Sequence, residues 1–349
     1  MNNSSLLSGK SEKCLGNYQQ RFTTILLPIL YSLLFLASLF LNSTAAWIFF
    51  KHANRKSLVI LLKCVVVADL LMTMTLPFTI LNHAQFAPKY THFIVCRFSA
   101  IVFYTTMNIS ILFLALISLD RCVKIVKTTL GKLFQNPKFI QIISAVIWVV
   151  MFLSSAPNMF LYKKDTQISF TGCTQQKSDL GLKWHEFSTY FSFFIFWATF
   201  FLMAICYTKI IKAIYESNKN INARLSESKR KSRRNIFSVL GVFCVCFVPY
   251  HTCRIPFTLS QTQDVFTCKT YTTLLFIKEG TMFLAAMNIC LDPIMYFLLC
   301  KSFTDSLHQE IKILKQKRSK LKQSSMPLST IAAEKDNSQS NETRLSELT

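Results

Sequence analysis

Two cations stand where the surrounding sequence offers them no water. Arg254 lies about one and a half turns beyond Pro249 in the run FVPYHTCRIPFTLSQT, and Lys278 sits within LLFIKEGTMFL. An arginine supplies a planar fork for bidentate hydrogen bonds to phosphate, and a lysine supplies a compact point charge. His251, three residues before Arg254, shares its helical face. Tyr104, about two turns beyond Cys96, offers a ring on which a base could stack. Residues 100–107, where an amine would look for its counter-ion, contain no carboxylate. The chemistry read from this set is capture of an anion that carries a planar ring. A salt bridge to Glu279 is the plainer role for Lys278, and a satisfied interior histidine is as good a reading of His251.

A second group is acidic. Asp69 and Asp292 lie in apolar runs, with Ser110, Asn288 and Tyr296 able to reach similar depth. A charge buried in a membrane is costly and marks function by default. Hard oxygen ligands suit a small cation, so sodium is expected as an allosteric ion. The alternative is a hydrogen-bonded pair with one carboxyl protonated. Asp120-Arg121 closes the third apolar run, where an arginine snorkelling beside a carboxylate would be ordinary. The Cys and His residues show no metal-binding spacing, and no nucleophile elbow occurs. Neither an enzyme nor a structural metal is expected.

These residues need elements to hold them, and the composition says which. Of 349 residues, 51% are hydrophobic and only 16% charged, against about a quarter charged in soluble domains; the mean hydropathy is +0.34. Seven apolar runs, at about 25–50, 58–81, 93–126, 139–161, 187–214, 236–259 and 272–299, each reach the ~20 residues that span a bilayer. In hydrocarbon each segment must satisfy its own backbone, so these are helices. The expected fold is an all-α membrane protein: a seven-transmembrane bundle over 25–300, a tail over 1–24, a short cytoplasmic amphipathic helix over 301–314, and a disordered cytoplasmic tail over 315–349.

Orientation follows from Lys and Arg in the short linkers. Lys51, Arg55, Lys56, Lys124, Lys127, Lys132, Lys138, the basic run 229–234 and the tail bases mark the cytosolic side. The N-terminus is then extracellular, the C-terminus cytoplasmic, and the sequons at Asn2 and Asn3 open to glycosylation. Four cysteines face outward: Cys14, Cys96, Cys173 and Cys268. They allow three connectivities; the favoured one joins Cys96 to Cys173 and Cys14 to Cys268. Most of the formal charge of +22 is this topology. The outer side still carries twelve bases against six acids, and a one-signed cleft concentrates the opposite ligand. The basic residues do not gather on a soluble domain, so no nucleic acid partner is expected.

The order of motifs is more specific than any one of them. Asn42, Ala68-Asp69-Leu70, Asp120-Arg121-Cys122, Trp148, Phe243-x-x-x-Phe247-x-Pro249, Asp292-Pro293-Ile-Met-Tyr296 and Phe303 follow in turn. The chain resembles the rhodopsin-like (class A) G-protein-coupled receptors over roughly residues 22–312. The resemblance implies a plasma-membrane receptor in which Asp120 and Arg121 engage a heterotrimeric G protein. Cys122 stands where Tyr is usual, Phe247 where Trp is commonest, and the fifth run lacks its mid-helix proline.

Within that class the run from Phe247 to Thr262 is similar to the purinergic nucleotide receptors of the branch answering ADP and UDP-sugars. So are Lys278-Glu279, Leu180-Gly-Leu-Lys-Trp184-His185, Ala156-Pro-Asn158 and the second pair of outer cysteines. Gln261-Thr-Gln-Asp-Val-Phe and Phe303-Thr-Asp-Ser-Leu lean toward the ADP-responsive members. By resemblance Tyr104 stacks on the base with Asn158 and His185 nearby. Arg254, Lys278, Lys177 and Gln261 would hold the phosphates, and coupling would be to the inhibitory G-protein class. Asn108, Thr189 and Phe257 depart from the branch pattern and bear on the base and on affinity. A UDP-sugar, an anionic lysophospholipid or an orphan receptor of the same fold are the alternatives. An organic-anion transporter is disfavoured by seven Gly in the chain and no internal repeat.

Overall fold

The computed structural model describes residues 21–51, 56–84, 93–126, 129, 131–163, 173, 176–218, 223–262 and 267–324. Seven helices in it are long and apolar enough to cross a membrane. They are α1 Phe22–Lys51, α2 Ser57–His83, α3 Val95–Ile125, α4 Pro137–Ser155, α5 Asp179–Asn218, α6 Ala223–Thr262 and α7 Cys268–Leu299. The first turns of α1 and α3 are π-helical. Short helices, Gly131–Gln135 and Pro157–Phe160, flank α4.

Neighbouring helices pack α1 on α2, α2 on α3 and α4, α3 on α4 and α5, α5 on α6, α6 on α7, and α7 back on α1 and α2. α3 runs through the centre. From Phe103 to Ser118 only Tyr104, Leu112 and Leu116 are less than buried. By contrast Phe40 on α1, Leu153 on α4 and Phe194 on α5 are 73%, 66% and 71% exposed, the surface that hydrocarbon covers.

Local chemistry sets the ends and bends. Asn136 caps α4 by accepting from the Lys138 amide, with Pro137 in the first turn. Thr267 caps α7 through the Thr270 amide. Pro77, Pro249, Pro256 and Pro293 each remove an i→i−4 bond from a spanning helix. Inside the bundle polar groups are used in pairs: Asn42 donates to the Ser38 and Ile289 carbonyls, tying α1 to α7, and Thr73 donates to Ser38.

At one end of the bundle the described residues between α4 and α5 are tied to α3. Cys96 is disulfide-bonded to Cys173, as expected. Tyr162 and Lys177 form an isolated antiparallel bridge, and the Tyr162 hydroxyl donates to the Cys96 carbonyl. Burial pushes the Tyr162 phenol up to about 12 against the opposing field of Arg97. Arg97 donates to the Met159 carbonyl and lies over the Phe93 and Tyr162 rings. Gly181, in the first turn of α5, has no room for a Cβ, which would collide with the Leu161 carbonyl oxygen. Cys268 is also disulfide-bonded; Cys14, its expected partner, and the sequons at Asn2 and Asn3 lie outside the described residues.

Four elements differ in their bounds from those expected on sequence. α5 and α6 extend well past their apolar cores into flanks rich in helix-forming residues. α7 begins at Cys268, four residues before the apolar run, so Lys278 lies ten residues inside the helix. The helix α8, Lys301–Ser324, continues ten residues beyond 314, since its Lys, Gln and Leu residues favour helix and no Pro or Gly interrupts them. The chain divides into two compact units at Cys300 and Lys301, and α8 belongs to the second. Phe303, Leu307, Ile311 and Leu314 recur along it at helical spacing.

Candidate functional site

α6 carries Arg254 one turn past the Pro249–Tyr250 step, and the half-buried guanidinium settles between aromatic rings. Its Cζ lies 4.6 Å from the Tyr104 ring centroid and 5.9 Å from that of Tyr250. The two rings are near parallel, with centroids 6.2 Å apart. The Tyr104 hydroxyl reaches Met282 Sδ on α7 at 3.3 Å. Helices α3, α6 and α7 therefore converge on one cation. A desolvated cation–π contact stabilises by about 2 kcal/mol, less than the several kcal/mol that burying an unpaired charge costs.

Lys177 approaches the same region from the segment before α5. Its Nζ donates to Asn158 Oδ1 at 2.7 Å, and Asn158 Nδ2 donates to the Ser188 hydroxyl at 3.2 Å. Burial, and after it the charge of Arg254, lowers the Lys177 ammonium to about 8. The charges of Lys177 and Arg254 also act on His185. Among the described residues neither cation forms an ion pair with a carboxylate. A buried and a half-buried positive charge beside a stack of tyrosines form a site for an anion.

Lys278 is placed differently. Its Nζ contacts Glu279 Oε1 at 2.7 Å and lies 5.7 Å from the Phe257 ring centroid. Glu279 also faces His83 of α2, Oε2 to Nε2 at 3.7 Å, and the His83 ring stacks on Tyr31 of α1. Glu279, counted with the outer-side acids on sequence, is thus buried between helices.

The shared face expected for His251 and Arg254 does not bring their side chains together. His251 turns to α5 and stacks flat on Phe196 at 4.1 Å, with Nε2 lacking a hydrogen-bond partner. Asn108, one of the departures from the branch pattern, accepts from the Ser192 hydroxyl at 2.7 Å and bridges α3 to α5. Thr189 spends its hydroxyl on the His185 carbonyl. Gln261 is half-buried two turns along α6 from Arg254, on the same face.

Deeper in the bundle the acidic group assembles. The Ser110 hydroxyl donates to Asp69 Oδ1 at 3.5 Å and the Tyr296 hydroxyl to Asp69 Oδ2 at 3.3 Å. Asn288 Nδ2 donates to Asp292 Oδ2 at 2.7 Å, while Asn288 Oδ1 and Asp292 Oδ1 have no hydrogen-bond partner. At the far end of α3, Asp120 is fully buried and pairs with Lys124 at 2.7 Å more closely than with Arg121 at 3.9 Å. Two residues back, the Ser118 and Tyr207 hydroxyls meet at 3.0 Å across α3 and α5. Among the described residues no cluster of three or more His, Cys, Asp or Glu could hold a metal ion.

Some partners were not singled out on sequence. Lys124 was legible as the i+4 partner of Asp120. Tyr250, Met282, Ser192, Phe196 and His83 carried no local signal, because each acts across a helix boundary.

A bundle of this order, with a cationic site at the disulfide-bearing end and Asp120-Arg121 at the other, matches the family model for the 7 transmembrane receptor (rhodopsin family) over residues 41–296. The chain belongs to that family of G-protein-coupled receptors and is a receptor rather than an enzyme. A multi-pass plasma-membrane location, an extracellular ligand and a heterotrimeric G protein come with the family. More particularly, it is 42% identical over 295 residues to purinoceptor 13 of Rattus norvegicus, covering 84% of this chain and 87% of that one. It is 41% identical over 292 residues to purinoceptor 14 of Bos taurus, covering 83% and 87%. It is also 42% identical over 294 residues to the G-protein coupled receptor 87 of Mus musculus, covering 84% and 82%. The resemblance to the purinergic branch stands.

Proposed function

We propose that this receptor answers an extracellular nucleotide, ADP before UDP-sugars, and signals through the inhibitory class of G protein. The observation that supports it most is the pair of cations, half-buried Arg254 and buried Lys177, which no described carboxylate pairs, beside the Tyr104 ring. A diphosphate supplies the missing anion, and a base supplies a partner for the ring. Tyr104, Asn158 and His185 would take the base end. Arg254, Lys177, Lys278 and Gln261 would take the phosphates, with His251 beside them.

The N-terminus lies outside and the C-terminus in the cytoplasm. Ligand held by α3, α6 and α7 together favours one arrangement of these helices over others, a population shift driven by differential affinity. The favoured arrangement opens the cytosolic end, where Arg121 and Asp120 meet the G protein. The basic run 229–234 supplies charge suited to that protein or to anionic headgroups.

A sodium ion fits the acidic group as an allosteric ligand. Asp69, Asp292, Ser110 and Asn288 would hold it, and Asn288 Oδ1 and Asp292 Oδ1 are buried oxygens that lack a hydrogen-bond partner. The ion would supply charge compensation for two neighbouring carboxylates.

A panel of ADP, ATP, UDP, UDP-glucose and a lysophospholipid, read as inhibition of cyclic AMP synthesis, tests the reading. ADP is expected to be most potent. A response to the lysophospholipid alone refutes the nucleotide assignment.

A further inference from the structure

Glu279 does not fit a site built only to attract an anion. It is buried, it lies beside the cation that should bind phosphate, and Arg254 feels its charge. A carboxylate there repels the ligand and occupies Lys278. Its second oxygen is only half provided for: Oε2 makes no hydrogen bond and faces the His83 imidazole at 3.7 Å.

That separation is an ion pair only when the ring carries a proton. With His83 neutral, Glu279 has Lys278 as its one close cation. With His83 protonated, the carboxylate gains a second partner on α2, and Lys278 is released toward an anion. The proton also changes the balance of the site. Arg254, Lys177 and Lys278 set three positive charges against Glu279, and a protonated His83 adds a fourth.

We propose that His83 and Glu279 form a proton-dependent selector that sets how much negative charge the outer site accepts, with acidic surroundings favouring the more highly charged phosphate ligand. This rests on the reading of the site as a phosphate-binding one and adds two residues to it.

The environment of His83 is simple enough for the direction to be worked out. From α1 it meets the Tyr31 ring, stacked at 5.9 Å. From α7 it meets Glu279 and Lys278, the two charged groups that act on it. Arg254 acts on Glu279, and Tyr104 and Tyr250 act on Tyr31, one step further away. Among the described residues α3 and α4 bring no charged group to the ring. Ligand binding draws Lys278 away from Glu279, which leaves the carboxylate to His83. Binding and protonation therefore favour one another. Affinity gains as pH falls into the range where the ring takes up its proton in the complex, and the gain is lost as pH rises above it.

The test measures half-maximal concentrations of ADP and of UDP-glucose on intact cells at extracellular pH 6.5, 7.0 and 7.5. One linked proton gives at most about a tenfold change per pH unit. Wild type is expected to gain three- to tenfold in ADP potency from pH 7.5 to 6.5. His83→Phe keeps a ring against Tyr31 and has no proton to bind, so its response should be flat relative to wild type. Glu279→Gln should be several-fold more potent than wild type at pH 7.5 and equally flat. Surface labelling at each pH confirms that the variants reach the membrane. Comparing variant with wild type at one pH cancels the titration of the ligand itself. Equal pH slopes in wild type and both variants overturn the selector and leave the nucleotide reading intact. Silence to both nucleotides at every pH, with the receptor at the surface, overturns that reading and the selector with it.

Discussion

Replacing Arg254 by Met should separate stability from function, because the same charge acts on each with opposite sign. In the receptor without ligand the guanidinium is half-buried with no ion-pair partner among the described residues. Its compensation is the Tyr104 ring at 4.6 Å and the Tyr250 ring at 5.9 Å. At a half-buried site each such contact returns about 1 kcal/mol, no more than the partial desolvation of an unpaired charge costs. Met fills much of the same volume without the charge, so Arg254→Met should leave the melting temperature unchanged or raise it. In the complex, the lost hydrogen bonds from a charged donor to phosphate are each worth about 1.5–3 kcal/mol. At roughly 1.4 kcal/mol per factor of ten, two of them amount to about a hundredfold or more in affinity. The assay pairs thermal unfolding of purified receptor with ADP competition binding on the same preparation. ADP affinity within threefold of wild type refutes the phosphate assignment. A melting temperature lowered by several degrees refutes the claim that this cation is uncompensated without ligand.

Four further expectations follow from the geometry. Since burial lowers Lys177 to about 8, it is charged below that pH and neutral above it. ADP affinity should fall as pH rises through 8, and a Lys177→Met receptor, weaker throughout, should lose that dependence in competition binding. Sodium chloride should raise the melting temperature more than choline chloride at equal ionic strength; Asp69→Asn should remove the difference, and an unchanged difference refutes the sodium site. Lys124→Ala frees the buried Asp120 carboxylate for Arg121, at present the more distant partner, and should lower ligand-free G-protein turnover measured by nucleotide exchange. Gly181→Ala should cut surface expression sharply, because its Cβ meets a backbone oxygen that cannot move aside, with a cost of about 1–3 kcal/mol typical of overpacking.

Much of the site could be listed from the chain without being assembled. Arg254, Lys278, Tyr104 and Asp69 stand out because a charged or polar group in an apolar run is rare. Their partnerships do not stand out. Lys278 was equally readable as a phosphate ligand or as the neighbour of Glu279, and the structure makes it that neighbour. His251 looked paired with Arg254 by spacing, yet its ring lies on Phe196 because three residues along a helix still differ by about 60° in direction. That rotation is enough to send one side chain to α5 and the other to α3.

The sequence by itself determined the number of spans, their helical nature and the class of receptor. Hydrocarbon admits only segments that satisfy their own backbone, so length and apolarity suffice. It did not choose between Arg121 and Lys124 as the partner of Asp120, since both lie within helical reach, and the structure favours Lys124. Which face of each helix turns inward was decided only by the tertiary structure. Lipid tails are as apolar as a protein core, so nothing in the pattern separates Tyr31, fully buried on α1, from Phe40, 73% exposed nine residues later. Close packing of the whole bundle makes that choice, and with it brings His83 to Glu279 and Arg254 to Tyr104.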